Sequence, residues 1–183
     1  SRTSISNASL ICERVEECEL ELNGISLSNA ITGHWVDRDL KRIALPTLEA
    51  GQHELRVRLP VDARRRLENL FLLGDFAVSC VGDLAWIESE DGPRTWGDAT
   101  NQGLAFYGGN LKYEVDLEVD SPGQYAIRIP SFAGALVRVT CDGKDMGPVA
   151  YAPFRAQLGH LESGQHRIEM VAYGNRFNSF GSL

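Results

Sequence analysis

The sequence predicts an all-β sandwich. Three observations predict it: short runs in which polar and apolar residues alternate, turn residues that punctuate them about every ten positions, and very little helical periodicity. Alternation sends successive side chains to opposite faces of a strand, so each such run buries one face and wets the other. Glu19-Leu20-Glu21-Leu22 alternates and stops at Asn23-Gly24, a pair that tolerates positive φ. His53 to Leu59 alternates over a longer span and stops at Pro60. In the second half Tyr113 to Val119 runs into Ser121-Pro122-Gly123. It is followed by Tyr125 to Ile129, by Ala135 to Cys141 ending on Asp142-Gly143, and by His166 to Tyr173 ending on Gly174-Asn175. Helix-compatible spacing occurs only over Val61 to Leu73, where Gly74 limits it to about one turn.

Composition narrows the function classes. The 183 residues suit one large domain or two small ones, and 43% hydrophobic with 23% charged residues is the balance of a folded chain. A net charge of -7 repels polyanions, so no nucleic-acid partner is expected. The one basic run, Arg64-Arg65-Arg66, reads as a solvated loop, with a carboxylate clamp as the sharper alternative. No segment approaches the ~18 apolar residues of a membrane span, so no membrane partner is expected. The chain has no start methionine or signal-peptide pattern and ends shortly after a strand, which reads as a module excised from a larger protein. Its compartment stays open, with free cysteines leaning toward the cytoplasm.

Metal and cofactor signals are weak. Cys12, Cys18, Cys80 and Cys141 show no C-x-x-C spacing, so no metal centre is assigned. Buried free thiols are expected, and a disulfide stays open for Cys12 with Cys18. His34, His53, His160 and His166 are assigned to turns. No cofactor is expected. A structural calcium would need oxygens converging from several loops, to which Asp37 and Asp39 could contribute without forming a dedicated cage.

A phrase recurs in the two halves. Leu48-Glu49-Ala50-Gly51-Gln52-His53 matches Leu161-Glu162-Ser163-Gly164-Gln165-His166, and an alternating strand follows each copy. Upstream of each lies a strand ending in Asx-Gly, at Asn23-Gly24 and at Asp142-Gly143. Two β-sandwich units are therefore expected, 1–90 and 91–183, with the polar stretch Glu88 to Gln102 between them. A single sandwich fused from the two halves is the alternative.

These phrases carry a family resemblance. Val137-Arg138-Val139-Thr140-Cys141-Asp142-Gly143, then Pro153-Phe154, then Leu161 to Ile168 resemble the sugar-binding jelly-roll domain of glycoside hydrolase family 2 proteins and the wider galactose-binding-like group. The resemblance covers most of 103–174. The first half looks like a weaker copy without the Pro-Phe pair. Asp142 stands where the family has Asn, and His53 and His166 stand where it has Asn after the glycine. The resemblance implies a galactose-binding-like jelly-roll β-sandwich, in two related halves, serving as an ancillary module of a glycoside hydrolase. In that family the catalytic pair belongs to a separate barrel domain, so the expected partners are carbohydrate and a parent catalytic domain in cis.

The residues themselves agree with a non-catalytic reading. Glycoside hydrolysis needs two carboxylates flanking the scissile bond, and none is singled out, because nearly all fall on polar strand faces or in turns. Ser179 lacks the leading glycine of a nucleophile elbow. The glycine-rich Phe106-Tyr107-Gly108-Gly109-Asn110 leads into a strand and not a helix, which favours a bulge or close hairpin approach over a phosphate loop. Sugar binding needs an aromatic platform and planar polar side chains. Trp35, Trp96, Tyr107 and Tyr151 are the candidate platforms, while Asn110, Arg155, Asn175, Arg176 and Asn178 are the candidate hydroxyl-fixing groups. Trp86, between Leu84 and Ile87, is assigned to the core. Against each aromatic stands the commoner role of core plug, and against the whole set stands a purely architectural module.

Overall fold

Ser9–Glu13 is a run without alternation, and it forms strand β1, an interior strand of its sheet with side chains buried on both faces. The computed structural model describes residues 1–60, 69–90 and 94–175, and the chain is all-β with antiparallel pairing in every sheet. It divides into two compact units, Ser1–Ala105 and Phe106–Leu183.

In the first unit a 3₁₀ turn (Val15–Glu17) leads to β2 (Glu19–Leu22) and β3 (Ile25–Ser26). Then follow β4 (Ile31–Trp35), β5 (Asp37–Ala44), β6 (Leu55–Arg58) and β7 (Phe71–Leu73). The hairpin β8 (Ala77–Val81) and β9 (Leu84–Glu88) precedes a second 3₁₀ turn, Ala99–Gln102. One sheet has the order β4-β5-β1-β7 and another β3-β2-β6. Leu10, Cys12, Leu20, Leu22 and Ile43 from these sheets bury in one cluster. Leu20 and Leu22 point inward, while Glu19 and Glu21 face out toward Arg58 and Arg56 of β6, at 3.6 and 3.9 Å. Exposed pairs of this kind contribute about 0–1 kcal/mol each, far less than a buried leucine, so burial holds the sheet and the charges serve its register.

The second unit comprises β10 (Leu111–Val119), β11 (Gly123–Arg128), β12 (Leu136–Cys141), β13 (Lys144–Val149), β14 (Arg155–Leu161) and β15 (Gly164–Tyr173). Its sheets are β10-β15-β12-β13 and β11-β14. Both feed one core: Val119, Val137, Val139, Cys141, Val149, Ile168 and Met170 from the first sheet meet Ala156, Leu158 and Leu161 from the second, with Tyr125 and Ile127 packed against them. This is the two-layer solution that antiparallel strands with one apolar face require.

Strand registers sort the connections of this unit to two ends. Leu111 lies opposite Ala172, Val137 opposite Ala172 and Val149, and Arg128 opposite Arg155. Residues 106–110, 129–135, 150–154 and 174–175 therefore gather at one end. The turns at 120–122, 142–143 and 162–163 gather at the other.

Four expectations need correcting. Phe71–Leu73, placed in a helical turn by spacing, is a strand paired with β1, while residues 61–68, including Arg64 to Arg66, lie outside the described residues. Cys80 is exposed, near the tip of the β8–β9 hairpin, where no layer covers it. His34 and His160, assigned to turns, sit in strands β4 and β14, while His166 lies in β15 at the start of its alternating run. Trp86 is half-buried, with the Arg2 guanidinium over its ring at 4.8 Å from the centroid. Cys12, Cys18 and Cys141 are buried thiols, and the first two have their Sγ atoms 3.8 Å apart.

Leu20→Ala is expected to cost about 2–5 kcal/mol, the range for deleting a buried leucine side chain. Urea denaturation checks it, and a loss under about 1 kcal/mol would mean that the cluster around Leu20 does not hold the first unit.

Candidate functional site

The turn end of the second unit is built around one side-chain contact. Asp142 adopts φ 50° and Gly143 φ 76°, the left-handed conformations that an Asx-Gly pair supplies cheaply between two strands. Asp142 Oδ1 accepts from Arg167 N at 2.8 Å, and Asp142 N donates to Arg167 O at 2.8 Å. His166 Nδ1 lies 2.6 Å from Asp142 Oδ2, and its Nε2 donates to Glu162 O at 2.9 Å. The carboxylate beside it raises the His166 pKa above the ordinary 6.5, helped by the Glu162 carbonyl. His166 in turn lowers Asp142 below the ordinary 3.8, with the Arg167 backbone N–H adding to the effect. Nearby, Tyr125 donates its hydroxyl proton to Ser121 O at 2.8 Å and Ser163 does the same to Asp120 O at 3.2 Å.

The first unit makes the same clasp with a neutral partner. Asn23 has φ 52° and Gly24 φ 79°. Asn23 Oδ1 accepts from Glu54 N at 2.9 Å, and Asn23 N donates to Glu54 O at 2.8 Å. His53 Nε2 donates to Glu49 O at 2.6 Å, which leaves Nδ1 to accept from Asn23 Nδ2 at 3.0 Å. Leu22 opposite Leu55 and Leu20 opposite Val57 then occupy the places held in the second unit by Cys141 opposite Ile168 and Val139 opposite Met170. Exchange of Asn for Asp puts a carboxylate where the first unit has a carboxamide.

Cys141, Asp142 and His166 bring three ligand-type atoms within 4.8 Å of one another. Their donors and acceptors are engaged, however: both imidazole nitrogens and both Asp142 oxygens make the bonds just described. The neutral clasp of the first unit performs the same closure with Leu22 in place of Cys141. The arrangement is that of a fastened turn. Asp37 and Asp39, the calcium candidates, begin β5, where Asp37 Oδ1 accepts from Asp39 N at 3.0 Å.

The loop end of the second unit collects most of the sugar-binding candidates. Tyr107 is 43% exposed and donates to Asn110 O at 3.1 Å. Asn110 Oδ1 accepts from Gly174 N at 3.2 Å, and Asn175 Nδ2 donates to Ala133 O at 3.2 Å. Gly174 has no room for a side chain, since a Cβ would run into the Gly109 carbonyl. The glycine-rich phrase is thus a close approach of two backbones. Tyr151 is 87% exposed, in the β13–β14 loop, and its carbonyl accepts from Phe154 N at 2.9 Å. Phe154 packs edge-on against Phe132 of the neighbouring loop, centroids 5.6 Å apart, and so anchors the turn that presents Tyr151. Arg155 follows on the exposed face of β14.

Two platforms belong to the first unit. Trp35 ends β4 half-buried, tilted against Phe71 with centroids 5.0 Å apart, and Trp96 is 56% exposed between β9 and the second 3₁₀ turn. Arg176 and Asn178 lie outside the described residues. Sequence reading missed Arg128, which faces Arg155 across the β11–β14 ladder. Only a register between strands distant in sequence could have revealed it.

Several carboxylates of the second unit are drawn into its framework. Arg167 pairs with Glu114 and, at 2.7 Å, with Asp116, while Arg138 holds Asp145 at 2.5 Å and Lys112 bridges Glu114 and Glu169 at 2.7 Å each. Arg138 lowers the Asp145 pKa, and Lys112 together with Arg167 lowers that of Glu114.

No protein-family model matches the chain. No curated protein matches it. Among solved structures, a rhamnosidase from Novosphingobium sp. PP1Y is similar at a TM-score of 0.36 and 18% identity, over 96% of this chain and 18% of that one. The chain therefore spans under a fifth of the length of the protein it matches.

The clasp gives a pH prediction with a definite sign. A raised His166 pKa means that the contact stabilises fully below the ordinary imidazole value and loses its contribution as pH rises through the raised one. A lowered Asp142 pKa means a contribution present above the ordinary carboxylate value and lost as pH falls through the lowered one. Asp142→Asn, which installs the neutral clasp of the first unit, should flatten the decline of Tm from about pH 6 to pH 9. Melting curves across that range check this, and parallel declines in both proteins would contradict the ion pair. Separately, Gly174→Ala should lower Tm by several degrees, since its Cβ has nowhere to go. An unchanged Tm by calorimetry would mean that the two backbones do not meet there.

Proposed function

We propose that the chain is a non-catalytic ancillary module of a larger glycoside hydrolase, and that its second unit binds carbohydrate at the loop end. The observation that carries this reading is Tyr151, an aromatic ring left 87% exposed on a turn anchored from beneath by Phe154 and Phe132. A ring left in water on an anchored turn has no packing duty in its own unit and presents its face for stacking, which would bury apolar area on binding. Arg155 next to the turn adds planar donors of the kind that fix hydroxyl positions. The sequence resemblance through Asp142-Gly143, Pro153-Phe154 and the Leu161 to Ile168 phrase supports the same reading.

A second reading, a purely architectural module packed against a catalytic domain, draws on a specific observation. The Asn110 and Asn175 side chains and the Tyr107 hydroxyl spend hydrogen bonds on backbone groups of their own unit, so they serve the fold whether or not a ligand is present. On either reading Tyr107, Asn110 and Asn175 brace the loops. Sugar contact then falls to Tyr151 and Arg155.

Isothermal titration of the 183-residue chain against mono- and oligosaccharides separates the two. Sugar binding predicts heat with at least one ligand and about a tenfold or greater weakening in Tyr151→Ala, whose Tm should stay within a degree or two of the parent because the ring is exposed. Silence across the panel from a folded chain would leave the architectural reading.

A further inference from the structure

The described arginines of the second unit fall into two groups. Arg138 and Arg167 are matched to carboxylates, as described above. Arg128 and Arg155 have no such partner among the described residues, and they lie directly opposite each other on neighbouring strands, both exposed. Residues opposed in an antiparallel pair have their Cβ atoms about 4.5–5.5 Å apart, and like charges there oppose pairing. A chain with net charge -7 has carboxylates enough to separate them, yet none of the described residues pairs with either arginine.

The surroundings are ordered. Ile129 N donates to Phe154 O at 2.9 Å, continuing the ladder past the two arginines into the Tyr151 turn. On the same outward face the next row holds Ala126 opposite Gln157, a small side chain beside an exposed carboxamide. Ile127 and Ala156, between these rows, point the other way into the core and fix the orientation of the strands. The face thus offers two guanidinium forks, a carboxamide and a shallow methyl floor, bordered by the turn that carries an exposed tyrosine.

We propose that Arg128 and Arg155 form an anion-binding subsite for the carboxylate of an acidic sugar, a uronic acid residue, whose ring stacks on Tyr151. A carboxylate between the two forks accepts charge-assisted bonds from both and removes their mutual repulsion on binding. A neutral sugar's hydroxyls accept from the forks but bring no charge to offset that repulsion. This inference rests on the carbohydrate reading above for its sugar, and on the arginine pair alone for its charge.

The test titrates the 183-residue chain with oligogalacturonate, with the neutral galacto-oligosaccharide of equal length, and with sodium sulfate. Expected are binding of the uronate about tenfold or more tighter than the neutral sugar, weakening as salt rises from 50 to 500 mM, and a loss of about tenfold in each of Arg128→Gln, Arg155→Gln and Tyr151→Ala. Without ligand, Arg155→Gln should match or exceed the parent Tm at low ionic strength, because it relieves a like-charge pair. A fall of several degrees would make the arginines framework residues and overturn the proposal. Equal affinity for neutral and acidic sugars overturns it too, while leaving the carbohydrate reading intact. Sulfate binding as tightly as uronate, with no effect of Tyr151→Ala, overturns the acidic-sugar assignment in favour of a plain anion site. No binding of any of the three overturns both.

Discussion

A strand that must reverse through two left-handed residues and then lie beside a strand far along the chain needs something to fix both at once. In the second unit that is Asp142, which turns the chain, accepts from the backbone of Arg167 and seizes the imidazole of His166. The imidazole reaches back to the Glu162 carbonyl, so one small network ties the β12–β13 turn, the start of β15 and the β14–β15 turn together. Register follows from it: Cys141 falls opposite Ile168 and Val139 opposite Met170, and an alternating strand cannot slip by one residue without turning its apolar face to water. Asn23 and His53 do the same in the first unit with an uncharged pair.

Fastening one end in this way leaves the other to vary. Loops that need not close the fold can carry exposed groups, and in the second unit such groups lie at the end remote from the clasp. Phe132 and Phe154 keep two of these loops packed together, while Asn110 accepts from Gly174 N where Gly109 and Gly174 meet and Asn175 donates to the Ala133 carbonyl. Among the described residues there, Tyr151, Arg155 and Arg128 remain unspent. The division is physical: side chains with a bonding duty in the fold are poor candidates for ligand contact, and those held in water without one are better candidates.

Much of the fold was legible in the sequence, for reasons visible strand by strand. β2, β6, β10, β12 and β15 alternate cleanly and end in Gly, Pro or Asx, so pattern alone placed them. β1 escaped because it is buried on both faces and does not alternate. β14 escaped because Gly159, at φ 83°, interrupts its alternation beside an irregularity in its pairing with β11. His34 and His160, read as turn residues, each follow a glycine, Gly33 and Gly159, inside a strand. For the candidate site, residue type identified Tyr151 and Arg155. It could not separate them from Asn110 and Asn175, because bonding to a distant backbone leaves no local mark. Arg128 was silent for the same reason.

The proposed meeting place of the second unit with a sugar is its loop end. Amide chemical shifts of the labelled chain, followed during titration with neutral and acidic oligosaccharides, read that location directly. The account predicts perturbations confined to residues 107–110, 128–135, 150–157 and 174–175, with the clasp at 142–143 and 166–167 unmoved. Perturbations centred on the clasp, or none with any sugar, would contradict it.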